Sequence, residues 1–213
     1  MRITIVYDNE VVNEKLKAGW GFSSLIETAN APPILFDTGA DSLTLRHNMK
    51  ELGIDARDIG IIVISHAHGD HTGGLRGILE INKEAEIYVP ASSWRAIPGR
   101  KVTAVRESRQ LCEGVFSTGE LKGIEQSLAL RTARGILIVV GCSHPGVGTI
   151  MNAASRFGKI YGIVGGLHGF HNFGSLNGLS LICPCHCTQY KREIESLFPQ
   201  QCIKCGAGLV LDL

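Results

Sequence analysis

The chain has 213 residues and a formal net charge of +1, with 44% hydrophobic and 19% charged residues. That length suits one domain with a real core and is short for two, so we expect a single domain over residues 1–213. The near-neutral charge argues against a general attraction to nucleic acid or membranes, and no apolar run approaches the ~20 residues that span a bilayer. The strand-like opening "MRITIVYD" has no signal-peptide pattern, which predicts a cytoplasmic protein.

Short β-rich segments alternate with helix-like segments, which is typical of layered α/β proteins. In the first half, the pattern predicts strands at 2–7, 23–28, 33–37, 60–64 and 86–90, a helix at 41–51 that stops at Gly53, and a helix from Thr72 to about Asn82. Residues 91–126 show no clear period. In the second half, it predicts a hairpin of strands at 128–132 and 135–141, further strands at 160–164, 179–183 and 208–212, and helices at 146–157 and 189–198.

Histidines follow four of the apolar runs closely. They are His66, His144, His168 and His186. Buried strands of a sheet can end at a common edge, and ligands of open α/β sheets collect at such strand ends. The spacing therefore predicts that positions distant in the sequence converge on one site.

The segment "HAHGDH" at 66–71 has the residue types of a metal site. In extended backbone, His66 and His68 point the same way, whereas Asp70 and His71 lie on the turn into the next helix. Imidazole suits zinc and iron, and a carboxylate can complete either coordination sphere. Surface histidines without a ligand role are disfavoured, because chance would have to gather four such residues in six positions. The segment predicts two metal ions that act together on water and substrate.

"SHAHGDHTGGL" resembles the metal-binding signature of the metallo-β-lactamase superfamily, and "LFDTG" at 35–39 resembles the strand and turn that precede it. The resemblance implies an α/β fold with the four layers of an αββα sandwich. "EQSLALRTARGILIVVGCSHPGVGTIMNAA", "IVGGLHGF" and "PCHCT" resemble one branch, some members of which are dihydropterin–ribofuranosylaminobenzene-phosphate synthases of methanopterin biosynthesis and others metal-dependent hydrolases. The chain is shorter than most of that branch between the 90s and residue 125 and between His168 and His186. Those segments would line a substrate pocket, so the substrate does not carry over.

The resemblance implies six metal ligands, with His144 on the first ion and His186 on the second. They are His66, His68, Asp70, His71, His144 and His186. It also implies two divalent ions, with zinc favoured over iron or manganese. His168 matches a position in the branch and is a candidate ligand, acid or substrate contact. Asp37 is a candidate partner for a ligand imidazole, and Asp8 and Asn9 match residues expected near the pocket floor.

Cys142 departs from the superfamily pattern. In most members the strand that corresponds to "ILIVVG" ends in "GD", whose aspartate bridges the metals, whereas this chain has Gly141 and Cys142. Three interpretations stay open: a bridging thiolate, a bridge from solvent alone, or a shifted role for His144. A small buried thiol is slightly favoured over a thiolate.

Five cysteines lie between residues 183 and 205. The alternation of Cys183, Cys185 and Cys187 predicts that all three face one side of a strand, with His186 on the other. Cys202 and Cys205 form a CxxC pair. The alternatives are a structural zinc or redox site and a set of buried thiols with or without one disulfide. The buried thiols are favoured, because three ligands on one strand face form a poor tetrahedral chelate, although Cys202 and Cys205 could contribute to one.

The leading functional hypothesis is a metal-dependent hydrolase of an ester, lactone or phosphoester, in which a dinuclear centre activates water. Asp70 would orient the nucleophile while it binds the second metal, and His168 would stabilise the oxyanion or protonate the leaving group. The alternative is a pterin-condensing transferase on the same fold, which needs an aromatic pocket and cations such as Arg95, Arg100 or Lys101.

Two further classes are less favoured. A nuclease would need a basic patch or a gripping arm that this sequence lacks, and a non-catalytic metal or redox module would need closed coordination. We therefore expect a small-molecule substrate, with neither nucleic acid nor a membrane as partner, and leave homo-oligomerisation open.

Overall fold

Two mixed β-sheets form the centre of the computed structural model, which describes residues 1–93 and 95–213. The first six strands are β1 (Arg2–Tyr7), β2 (Ser23–Thr28), β3 (Ala31–Phe36), β4 (Ile61–Val63), β5 (Glu86–Pro90) and β6 (Val102–Val105). The next six are β7 (Glu107–Cys112), β8 (Val115–Gly119), β9 (Leu128–Thr132), β10 (Gly135–Val140), β11 (Ile160–Gly166) and β12 (Leu181–Cys185), and β13 (Val210–Asp212) follows.

The first sheet has the order β13-β1-β2-β3-β4-β5-β6, and the second has the order β12-β11-β10-β9-β8-β7. In the first sheet, β3 to β6 are parallel to one another, and in the second sheet β10 to β12 are parallel. The remaining neighbours pair antiparallel. The carboxyl ends of the parallel strands form one edge in each sheet, where polar side chains can converge.

The described residues form five α-helices, and all but the shortest cover the outer faces of the sheets. They are α1 (Ser42–Glu51), α2 (Gly69–Thr72), α3 (Leu75–Ile81), α4 (Val147–Ala154) and α5 (Lys191–Leu197). The Asp41 carboxylate accepts a hydrogen bond from the Thr44 amide at 2.8 Å and caps α1. Gly53, with a φ of 71°, follows the end of that helix as predicted.

Three apolar clusters define the layers. Residues such as Phe22, Phe36 and Leu137 pack between the sheets. Leu45 and Ile78 of α1 and α3 cover the outer face of the first sheet, and a third cluster that includes residues of α4 and α5 covers the second. Burial of these faces is the main favourable term in folding. The arrangement confirms the predicted αββα sandwich.

The predicted helix from Thr72 to Asn82 is wrong in its bounds. The chain turns helical already at Gly69, breaks at Gly73 and Gly74, and resumes at Leu75. A Cβ at Gly73 would lie 1.9 Å from the carbonyl oxygen of Ala40. The two glycines thus let the helical segment pass closely over the turn that follows β3.

The unperiodic region 91–126 contains three strands for which no prediction was made, β6, β7 and β8. β6 and β7 are edge strands, and most residues of β7 are exposed or half-buried. In β7, Glu107 and Arg109 are charges of the kind that discourage an edge strand from pairing with other chains, and its polar residues hide the alternating pattern. The strand predicted at 179–183 lies two residues later, at Leu181–Cys185.

The chain changes sheets at two points. Only Arg106 separates β6 from β7, so the polypeptide leaves the first sheet for the second within one residue. It returns through β13, which pairs antiparallel with β1, and the Leu213 amide donates to the carbonyl of Met1 at 2.9 Å. Among the described residues, no helix has both the length and the apolar character needed to cross a bilayer.

Candidate metal centre

Loops at the carboxyl ends of strands from both sheets meet in one place. His66 follows β4 of the first sheet, whereas His144 and His186 follow β10 and β12 of the second. Among the described residues, five that are not glycine have a positive φ, and four of them lie in these loops: Asp37, Ser143, His168 and His186. Such backbone conformations cost free energy and cluster at functional sites. The tight bends turn the side chains toward a common point.

Three imidazoles form a first ligand group. The Nε2 atom of His66 lies 3.0 Å from Nδ1 of His68 and 3.2 Å from Nε2 of His144. One ring nitrogen carries either one hydrogen or one lone pair, so it cannot form good hydrogen bonds to both neighbours. Zinc–nitrogen bonds of about 2.0–2.1 Å would set tetrahedral ligands about 3.3 Å apart. The spacing is therefore that of three ligands around one ion.

A second ligand group lies beside the first and comprises Asp70, His71 and His186. The Oδ2 atom of Asp70 is 3.2 Å from Nε2 of His186 and 3.9 Å from Nε2 of His71. Nε2 of His186 is buried and has no hydrogen-bond partner. A buried polar atom without a partner is costly unless an ion or water satisfies it. We call the two groups together the histidine centre.

In the three buried ligand histidines, the outward-facing ring nitrogen contacts a neighbouring group. Nδ1 of His71 is 2.7 Å from the Asp37 carboxylate, which also accepts from the hydroxyl of Ser65. That hydroxyl lies 2.9 Å from Nδ1 of His66. Nδ1 of His186 is 2.9 Å from Oδ1 of Asn9. Such partners fix the ring orientation and leave the inner nitrogen free for a metal.

Burial and mutual repulsion keep most of the imidazoles neutral. Burial, followed by the charges of the neighbouring histidines, lowers the pKa of His66 strongly. Burial and the charge of His71 lower the pKa of His186 to about 4. Burial also opposes protonation of His71, but the adjacent Asp37 carboxylate outweighs it and raises the pKa of His71. Neutral imidazoles offer lone pairs, so the electrostatics fit a cation site.

Two cysteines lie between and beside the ligand groups. The Sγ atom of Cys142 is 3.1 Å from Nε2 of His71 and 3.2 Å from Sγ of Cys187. Cys142 also shares a potential ligand group with His66 and His71, and another with His186 and Cys187. Contact with Cys187 and burial raise the pKa of the Cys142 thiol. The sulfur thus occupies the space between the two groups, where the sequence left a bridging role open.

The prediction that Cys187 shares a face with Cys183 and Cys185 is wrong. β12 ends at Cys185, and His186 adopts a φ of 44°, so the alternation of the strand does not continue. Cys187 instead lies at Cys142 and packs under Gly166, where an added Cβ would be 2.7 Å from its sulfur. The absence of a side chain at Gly166 permits this close packing.

Glu125 was not predicted as a site residue, and it organises the loop that carries His144. Its Oε1 accepts hydrogen bonds from the amides of residues 141–143 at 3.0–3.1 Å, and its Oε2 accepts from the His144 amide at 2.8 Å. The side chain is fully buried, and burial raises its pKa despite these bonds. The sequence signal was the polar run of Glu125, Gln126 and Ser127 directly before β9.

Asp8 and Asn9 lie beneath His186, as the resemblance implied. Oδ1 of Asp8 accepts from the His186 amide at 2.8 Å, and Asn9 donates to the His186 carbonyl at 3.0 Å. Trp20, another residue that the sequence did not reveal, is 63% exposed and donates through Nε1 to Oδ2 of Asp70 at 2.9 Å. An aromatic surface therefore borders the second group on the solvent side.

The structure brings the six predicted ligands together, and His168 lies at their rim. Its ring is exposed, and the ring centroids of His168 and His144 are 5.1 Å apart. His68 is also exposed, while His66, His71 and His186 are buried. The histidine centre is therefore buried on one side and exposed to solvent on the other, and this suits the binding of a small molecule at the metals.

Comparison with known proteins supports the fold and the resemblance to the metallo-β-lactamase superfamily. Residues 18–110 match the model of the metallo-beta-lactamase superfamily. The 7,8-dihydropterin-6-methyl-4-(beta-D-ribofuranosyl)-aminobenzene-5'-phosphate synthase of Methanocaldococcus jannaschii is 29% identical over 262 aligned positions, which cover 89% of this chain and 88% of that protein. The alignment is longer than the 213-residue chain, so that relative contains residues that this chain lacks.

Two solved structures are similar over their whole length. A metal-dependent hydrolase of the beta-lactamase superfamily has a TM-score of 0.79 and 25% identity, with 100% of this chain and 99% of that chain covered. The metallo-beta-lactamase fold protein YhfI of Bacillus subtilis has a TM-score of 0.72 and 10% identity, with 99% of each chain covered. The second likeness concerns the fold alone.

Proposed function

We propose that this chain, which has the metallo-β-lactamase fold and matches the model of that superfamily, is a metal-dependent hydrolase of a small ester, lactone or phosphoester. The observation that carries the proposal is the pair of adjacent ligand groups, each with three side chains, of which the first has an exposed member in His68. Two metals in these groups, with zinc favoured, would supply a Lewis acid and an activated water.

The residues of this chain prepare that chemistry. Asp37 and Asn9 hold the rings of His71 and His186 with their inner nitrogens toward the metals. Asp70 is oriented by the indole N–H of Trp20, so its carboxylate can bind the second metal and align the nucleophile. Preorganisation of this kind lowers the barrier because little rearrangement is needed during the reaction.

His168 is the proposed proton donor. Its ring lies on the exposed side of the first group, near His144, where a leaving group would depart toward solvent. An imidazole suits proton transfer near neutral pH. His168 thus has the chemistry and the location to protonate a leaving alkoxide or to stabilise an oxyanion.

A second candidate function is a pterin-condensing transferase. It is supported by the similarity to the synthase of M. jannaschii and by the exposed indole of Trp20, on which a pterin ring could stack. Two of the cations proposed for phosphate already have partners: Arg100 donates to the carbonyls of Leu79 and Asn82 at 2.6 Å, and Lys101 pairs with Glu86. The hydrolase therefore remains the first choice.

The test begins with elemental analysis of the purified chain and continues with a screen of phosphodiesters, lactones and thioesters, with and without chelator. We expect close to two ions in the histidine centre and turnover that disappears with chelator and returns with metal. Turnover that survives complete metal removal would overturn the mechanism. Binding of a reduced pterin, measured by fluorescence, without hydrolysis of any member of the screen would favour the transferase.

A further inference from the structure

Three cysteines form a cluster that shares no residue with the histidine centre. Cys183 and Cys185 project from β12, and Cys205 comes from the irregular segment before β13. Their sulfur atoms all lie within 4.8 Å of one another, and the residues are 1%, 0% and 3% exposed. We propose that this thiol cluster binds a single thiophilic metal ion, with zinc as the probe, separately from the metals of the histidine centre.

The spacing of the sulfurs supports one ion rather than three independent thiols. The Sγ atoms of Cys183 and Cys185 are 3.9 Å apart. Zinc–sulfur bonds of about 2.3 Å place tetrahedral thiolate ligands about 3.8 Å apart. The expectation that three ligands at this spacing chelate poorly assumed that all came from one strand face. In the structure, Cys205 replaces Cys187 as the third sulfur and approaches from another segment.

The surroundings of the thiol cluster also suit a charged site. Three thiolates around a divalent zinc leave one negative charge, which is costly in a buried location unless a cation is near. Lys191 is close enough for its charge to act on both Cys185 and Cys205. The buried carboxyl of Asp8 also lies close enough to act on Cys183 and Cys205, and the sulfurs otherwise belong to the apolar core between the sheets.

An ion at this place would have a structural role. It would tie the irregular segment around Cys205 to β12, one residue before His186. That segment also reaches the loop after β1, where the Ala207 amide donates to the carbonyl of Glu10 at 2.8 Å. Metal binding of this kind adds directly to folding stability. The thiol cluster would therefore stabilise the loops that hold His186 without contacting substrate.

The test counts metal ions in three forms of the full chain, purified under reducing conditions with zinc present. The Cys205→Ser variant removes one sulfur of the thiol cluster, and the Cys202→Ser variant is the matched control, since Cys202 is half-buried and lies outside the cluster. We expect Cys205→Ser to contain one ion fewer than the wild-type chain and to melt at a lower temperature. Cys202→Ser should keep the full count.

A second measurement covers the case in which Cys205→Ser fails to fold. The wild-type chain loaded with ¹¹³Cd should give an NMR resonance typical of a sulfur-rich site that persists in a Cys187→Ser variant. Equal metal content in all three forms, absence of that resonance, or a mass two hydrogens lower that reports a disulfide would each overturn the proposal. Retention of the remaining ions in Cys205→Ser would leave the proposed hydrolase intact, so the two proposals fail separately.

Discussion

The histidine centre and the thiol cluster both gather potential metal ligands near the end of β12, and the two sites differ in their access to solvent. The histidine centre has one exposed member, His68, with the exposed His168 at its rim, and its buried rings have hydrogen-bonding partners behind them. The thiol cluster is enclosed and is surrounded by the apolar core. Openness allows a site to bind substrate as well as metal, whereas enclosure limits it to a structural role. Chelator should therefore strip the histidine centre first.

The largest expected effect is on catalysis in the histidine centre. Replacement of a direct ligand in Asp70→Ala should lower kcat/KM by about a hundredfold or more, since even the partners of ligands typically contribute about 10–100-fold. Metal content should fall with activity, and the ion of the thiol cluster should remain. His171→Ala, at an exposed histidine outside the ligand groups, is the control. Full activity in Asp70→Ala would remove the second ligand group from the mechanism.

The next largest effect concerns the side chains that form hydrogen bonds with the ligand histidines. Asp37→Asn keeps the size of the side chain but removes the charge that faces Nδ1 of His71. We expect a loss of about 10–100-fold in metal affinity at the histidine centre, measured by competition with a chromophoric chelator. Asp55→Asn, in an exposed pair with Arg57, should leave the affinity unchanged. An unchanged affinity in Asp37→Asn would mean that the charge of Asp37 does not contribute to metal binding.

A smaller effect should appear in stability rather than in chemistry. Glu125→Gln replaces one oxygen that accepts backbone amides with an NH₂ group that cannot accept. The free energy of unfolding in urea should fall by about 2 kcal/mol, the usual size for a hydrogen bond to a charged group. Glu113→Gln, at an exposed position, should fall within about 0.5 kcal/mol of the wild type. Equal stability of the two variants would contradict the role given to Glu125.

The smallest effect is expected at the exposed rim. Trp20→Phe keeps an aromatic ring but removes the bond from Nε1 to Asp70. A single exposed hydrogen bond contributes about 0.5–1.5 kcal/mol, so kcat should fall by roughly two- to tenfold. A rise in KM alone, without a change in kcat, would instead assign Trp20 to substrate binding.

The sequence indicated the candidate ligands because metal binding needs particular residue types. The histidines after separate strands predicted a common site, whereas the set of six ligands and the αββα fold were implied by the resemblance to the metallo-β-lactamase signature. The partners of those ligands were harder to find. Glu125 and Ser65 act through backbone amides and a hydroxyl, and these roles leave no periodic pattern in a sequence.

The error at Cys187 has a different cause. The prediction assumed that the strand continues through Cys187, so that side chains alternate between its faces. The positive φ at His186 ends the strand before Cys187, and the alternation does not apply there. The edge strand β7 escaped prediction because its polar residues resemble a loop. The short strand β6 and the buried strand β8 were also missed, since neither is long enough to show a clear alternation.

The single residue between β6 and β7 has a consequence for folding. The strands of the second sheet, β7 to β12, follow one another in the sequence. The first sheet contains β1 to β6 and is completed only when β13 pairs with β1. The amide of Leu213 donates to the carbonyl of Met1, so residues 213 and 1 can be joined in a circular permutant that is opened at Arg106. In that permutant the strands of each sheet follow one another in the sequence, and β13 comes directly before its partner β1. Lower contact order speeds folding, so the permutant should refold faster than the natural order of the chain.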